Sequence, residues 1–250
     1  MIELLPAPEG LRERLDQVRR RIRTCASRCG RQAEEITLVA VSKTHPAEVL
    51  KNALGMGITD FGENRVQEAE TKVPKVGHKA ARWHLVGHLQ ANKASKAIKL
   101  FDVIHSLDSV SLARRLDRLC AEEERAELPV LIQVDIGREE KKSGITEDGL
   151  PELMRTVNDC PRLRLAGLMT LPPFFEDPEL VRPYFGRLRE IRDTFRGKGY
   201  FGENRGELSM GMSHDFDVAI EEGATMVRIG TAIFGERNPG ADTGSLEAGG

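Results

Sequence analysis

A chain of 250 residues can bury one large core or two modest ones. Charged residues make up 30% of it but the formal net charge is only -2, so no global field of either sign points to nucleic acid or an acidic membrane surface. The opening MIELLPAPEG has prolines and acids where a secretory leader needs a basic stub and an apolar run, and no stretch approaches a membrane span, so a cytoplasmic protein is expected.

In chain order, an opening helix over Leu11 to Cys29 precedes an alternation of short apolar runs and longer amphipathic stretches. Cys25 and Cys29 stand one helical turn apart while Cys120 and Cys160 are isolated, a pattern of reduced thiols that fits neither a disulfide framework nor a zinc site. The strand runs end near Lys43, Gly62, Gly87, Leu107, Ile136, Leu171, Met210 and Gly230. Helical patterns fill the gaps at Ala47–Gly57, Val66–Val76, Asn92–Phe101, Ser109–Glu124, Asp148–Asp159, Glu179–Phe195 and Asp215–Gly223. Eight parallel strands buried on both faces would read as such Val, Ile and Leu runs, so the pattern predicts a (β/α)8 TIM barrel with an extra N-terminal helix; a doubly wound open sheet is the alternative. No linker or composition shift divides the chain, which predicts one barrel domain over residues 1–237 and a disordered tail over 238–250.

In such barrels the C-terminal strand ends build the site, and the first apolar run, ITLVAVSK, meets its loop at Lys43. An isolated strand-end lysine more often turns to solvent, but the other strand ends gather polar and glycine-rich motifs on the same rim: FGENRVQE, WHLVGHLQANK, IHSLDS, GLMTLPP, LSMGMSHDF and VRIGTAIFG. Two of them suit a phosphate. SMGMS leads into a helix expected near Ser213, and RIGT does the same at Gly230 and Thr231; free amides and a helix dipole favour an anion there, on the two loops where these barrels commonly hold one. Each stretch alone would serve equally as an ordinary helix cap, and Asp215 and Asp217 must face away from any dianion. His84 and His88 imitate a helical zinc pair but lack its glutamate and fall where a strand turns at Gly87. Lys93, Lys96 and Lys99, and the loop lysines Lys141 and Lys142, read as solvated faces, and Leu188, Ile191 and Phe195 as core packing.

Seven ordered motifs, VAVSKTHP, FGENRVQE, WHLVGHLQANK, KSGI, GLMTLPP, LSMGMSHDF and MVRIGTAIFG, closely resemble the pyridoxal 5'-phosphate homeostasis protein family, single-barrel relatives of the alanine racemase N-terminal domain. The resemblance covers about Leu11 to Arg237. It implies that Lys43 forms a Schiff base with the cofactor aldehyde, that Ser213, Gly230 and Thr231 hold the phosphate, that Arg228 faces the pyridine nitrogen, and that Asn64 and His84 line the pocket. Asp135, Gly137 and His214 depart from residues frequent in the family. The implied function is storage, buffering or delivery of pyridoxal phosphate by a monomer that is not itself an enzyme, with apo pyridoxal-phosphate enzymes as recipients. An amino-acid racemase and a Schiff-base aldolase are the alternatives. Against the racemase, Tyr184 and Tyr200 fall in or after the seventh helix of the alternation, away from the rim, and the chain ends just after the expected barrel, without the second domain that brings alanine racemase its catalytic tyrosine.

Overall fold

The computed structural model describes residues 10–137 and 143–235; Lys141, Lys142 and the 238–250 tail lie outside them. Among the described residues eight strands form one closed, all-parallel barrel in sequential order, β1 (Thr37–Val41), β2 (Asp60–Glu63), β3 (Arg82–Leu85), β4 (Val103–Leu107), β5 (Leu128–Gln133), β6 (Leu163–Met169), β7 (Glu207–Ser209) and β8 (Met226–Ile229). Closure comes from β1 pairing with β8, with Leu38 opposite Val227 and Ala40 opposite Ile229. The expected alternation is therefore present, and the open sheet is not.

The helices between them are α2 (Ala47–Gly55), α3 (Val66–Val76), α4 (Ala94–Leu100), α5 (Val110–Glu122), α6 (Leu150–Asp159), α7 (Arg182–Gly197), α8 (Phe216–Glu221) and the single turn α9 (Thr231–Phe234). The extra helix, α1 (Leu11–Arg28), buries Leu11, Leu15, Val18 and Ile22, one stripe at helical spacing, and packs against α8 and α9. Leu188 and Ile191 are buried as expected, with Phe195 partly buried against the same core. Lys96 and Lys99 pair with Glu70 and Glu123 on the surface.

Strand alternation divides the apolar side chains into layers. A large cluster fills the space between strands and helices, whereas Val39, Val41 and Val86 form a small separate cluster, as do Val103, Leu131, Ala166, Met169 and Met226. No helix among the described residues is long and apolar enough to cross a membrane.

Candidate functional site

β1 ends at Val41, two residues before Lys43, although the ladder continues to Ser42, whose N–H donates to the Gly62 carbonyl at 2.9 Å. Lys43 is exposed in the turn between β1 and α2. The residues on either side of it are tied down. Ser42 Oγ donates to Glu63 Oε1 at 2.7 Å, and the Thr44 N–H donates to Glu68 Oε2 at 2.8 Å. Lys72, on α3, links these partners: its Nζ donates to the Ser42 carbonyl, to Glu63 Oε1 and to Glu68 Oε2 at 2.8, 2.8 and 3.0 Å. Thr44 has φ +68°, a left-handed conformation costly for a β-branched residue and held here by these bonds.

The two loops expected to hold a phosphate meet beside that turn. Gly230 follows β8 so closely against β1 that an added Cβ would sit 3.1 Å from the Val41 carbonyl oxygen. Ser213 Oγ accepts a hydrogen bond from the Ala232 N–H at 3.2 Å, which joins the loop after β7 to the first turn of α9, where Thr231 is exposed. The helix expected at Ser213 starts instead at Phe216, because Asp215 turns back to cap the preceding loop: its Oδ1 accepts from the Met212 N–H at 2.6 Å. Asp217 is likewise turned away, paired with Arg21 and accepting from the Cys25 thiol at 3.2 Å on α1. Burial and that contact push the Cys25 thiol up to about 12, which keeps it protonated. Neither aspartate is thus aimed at the space in front of Ser213 and Gly230.

Arg228 and His84 lie inside the barrel, in a buried polar chain that crosses it. Arg228 Nη2 donates to the Thr170 carbonyl at 2.9 Å and Nη1 to Ser209 Oγ at 2.6 Å. Ser209 Oγ is 2.9 Å from His105 Nδ1, His105 Nε2 is 2.8 Å from His84 Nδ1, and His84 Nε2 is 2.9 Å from Asp60 Oδ1. Burial brings the guanidinium down to about 10, with the Asp215 charge opposing it, so Arg228 remains a cation at neutral pH. Burial also lowers the basicity of both imidazoles, His105 strongly. Asn64, half-buried, follows β2, and its backbone presses against Gly87, where a Cβ would come 2.2 Å from the Asn64 carbonyl oxygen. His88 does not join His84; it pairs with Asp108 at 3.3 Å.

Six of the seven expected residues thereby occupy the C-terminal strand ends or loops, or the wall beneath them, with Lys43 and Gly230 just beyond the paired strands β1 and β8; His84 lies deeper, bonded through both ring nitrogens. The sequence reading missed Asp60, Ser209, Glu63 and Lys72. A histidine in the wholly buried run VIHSL was a usable signal for polar traffic inside the barrel; nothing in the sequence pairs Lys72 with Glu63.

The donors fit pyridoxal phosphate. Ser213, Gly230 and Thr231 could hold the phosphate, Lys43 lies on the same rim with a primary amine, and Arg228 offers only donors, the complement of a pyridine nitrogen.

The alanine racemase N-terminal domain model matches residues 14–238. The chain is 43% identical to the pyridoxal phosphate homeostasis protein of Aquifex aeolicus, over 90% of this chain and 97% of the relative. It is 44% identical to that of Escherichia coli, over 90% and 95%. Among solved structures it resembles PipY of Synechococcus elongatus with PLP bound, at a TM-score of 0.74 and 35% identity, covering 90% of this chain and all of that one (100%).

Proposed function

The chain belongs to the alanine racemase N-terminal domain family and, within it, to the pyridoxal phosphate homeostasis proteins, and from that premise we propose that it binds pyridoxal phosphate in order to store, buffer or deliver it. The observation that carries this reading is the junction of two loops at the hydrogen bond from Ala232 N–H to Ser213 Oγ, beside the turn that presents Lys43. When bound, pyridoxal phosphate supplies an aldehyde that condenses with a primary amine with loss of water. Lys43 is the amine this chain offers on that rim, and Ser213, Gly230 and Thr231 orient the phosphate that sets its distance.

Arg228 argues against transamination. A guanidinium can donate to a ring nitrogen but does not readily surrender a proton to it, so the ring stays a weak electron sink.

The test is to load the purified protein with pyridoxal phosphate, mix it with an apo pyridoxal-phosphate enzyme, and follow activation against free cofactor. A yellow protein that restores activity supports the carrier. A colourless protein that takes up no cofactor would instead favour an aldolase working on a sugar phosphate.

A further inference from the structure

The chain of polar groups across the barrel has one consistent donor and acceptor assignment. Asp60, at its outer end, is ionised: burial pushes its carboxyl up, but hydrogen bonds from His84 and Thr59 and the nearby Arg82 guanidinium outweigh it and hold it below the ordinary value. An ionised carboxylate only accepts, so His84 Nε2 carries a proton. Both imidazoles are fully buried and neutral, with one N–H each. His84 Nδ1 must then accept, and His105 Nε2 must donate to it. His105 Nδ1 is left as an acceptor, which the Ser209 hydroxyl proton satisfies, while the Ser209 lone pairs receive Arg228 Nη1. All four bonds run one way, from guanidinium to carboxylate. The reverse direction would make Ser209 accept twice and leave its own proton without a partner inside a dry barrel.

We propose that Asp60, His84, His105 and Ser209 are positioning residues that lock the plane of the Arg228 guanidinium against the cofactor ring, through a one-way hydrogen-bond chain anchored at the opposite end of the barrel. The inference rests on the reading of Arg228 as the partner of the ring nitrogen. Two anchors, Ser209 Oγ on Nη1 and the Thr170 carbonyl on Nη2, fix a planar group in orientation, and aligned hydrogen bonds polarise one another. The other charges around the two histidines are Arg82 on β3, Asp102 just before β4 and Arg228 on β8. The five members come from β2, β3, β4, β7 and β8, so only closure of the barrel brings them into line. Asp60 also borders an open cleft of about 490 Å³ lined by Arg19, Arg23 and Thr59, which puts the anchor within reach of water while His84, His105 and Ser209 remain dry.

Two measurements test this. In cofactor-free protein, 15N-resolved imidazole NMR should find Nε2 protonated and Nδ1 bare on both His84 and His105, unchanged from about pH 8 down to about pH 6.5, the ordinary imidazole value. In Asp60→Asn, whose amide both donates and accepts, the spectrum should become a mixture of tautomers. The second measurement compares pyridoxal phosphate with an analogue carrying C–H in place of the ring nitrogen. Ser209→Ala should weaken pyridoxal phosphate by roughly 3- to 10-fold, the span of one hydrogen bond, and the analogue by less than about 2-fold. A protonated Nδ1 on either histidine of the wild-type protein, or equal loss of both ligands, overturns the proposal. Wild-type protein that binds neither ligand would defeat the carrier reading, and the tautomers alone would then judge the chain.

Discussion

Lys72 Nζ lies 2.8 Å from the carbonyl oxygen of Ser42, the residue immediately before Lys43, and equally close to the buried carboxylate of Glu63. The turn that carries the exposed amine is therefore fixed from below by an ion pair whose side chains are 8% and 0% exposed. Lys72→Met would strand Glu63 without its cation, and a destabilisation of about 3 to 5 kcal/mol is expected in urea unfolding. Replacing Glu63 and Lys72 together with apolar residues should recover most of that loss, because the cost lies in the uncompensated charge. If the single variant unfolds like wild type, the pair is not what secures the turn.

The two loops proposed to hold the phosphate make a sharper demand. Replacing Ser213 and Thr231 together with Ala should weaken pyridoxal phosphate binding by roughly 2 to 5 kcal/mol, at about 1.5 to 3 kcal/mol for each charge-assisted hydrogen bond with non-additivity expected. Unphosphorylated pyridoxal should lose far less. Calorimetric titration with both ligands separates the outcomes, since a parallel loss would assign the two residues to folding.

Stability should fall on acidification because two buried imidazoles are neutral in the fold. For His84 and His105 the folded value is depressed below the ordinary 6.5, so their contribution is complete above that pH and is lost as pH falls through the lower folded values. Each proton taken up on unfolding adds a slope of about 1.4 kcal/mol per pH unit. Denaturant unfolding between about pH 7 and about pH 5 should show this loss, and His105→Gln should flatten it. A pH-independent midpoint across that window would mean that the folded barrel holds neither imidazole neutral.

The barrel was legible in the sequence because parallel strands covered on both faces cannot hide: every apolar run from ITLVAV to MVRI became a strand, and the strand ends moved by three residues or fewer. The rim was legible for the same reason, as strand ends follow from strands. Less visible was what depends on closure. Asp60 and Ser209 are far apart in sequence and unremarkable alone, and only the circular order of strands sets them in one line with His84 and His105. The helical pattern from Asp215 matches α8 to within one residue, but Ser213 does not lead straight into it, because the Asp215 carboxylate caps the loop between them.

Efficient racemisation is not expected. It needs a proton-transfer group on each face of the reacting carbon, within about 3 Å of it. Tyr184 packs against Phe175 and Tyr200 against Phe195, with ring centroids 5.8 and 5.1 Å apart, both at α7 or just beyond it. His84 and His105, otherwise eligible, have both ring nitrogens engaged in the buried chain. Incubating loaded protein with L-alanine or L-serine in deuterium oxide should give negligible α-hydrogen exchange. Turnover near 1 s⁻¹ or above, within the usual enzyme range, and abolished by Lys43→Ala, would promote the racemase.

Borohydride reduction of the loaded protein followed by peptide mapping reports which lysine holds the cofactor. A single pyridoxyl label is expected on Lys43, lost in Lys43→Ala with the fold intact by circular dichroism. A label on Lys93, Lys141 or Lys72, or one distributed over surface lysines, would rule Lys43 out as the attachment point.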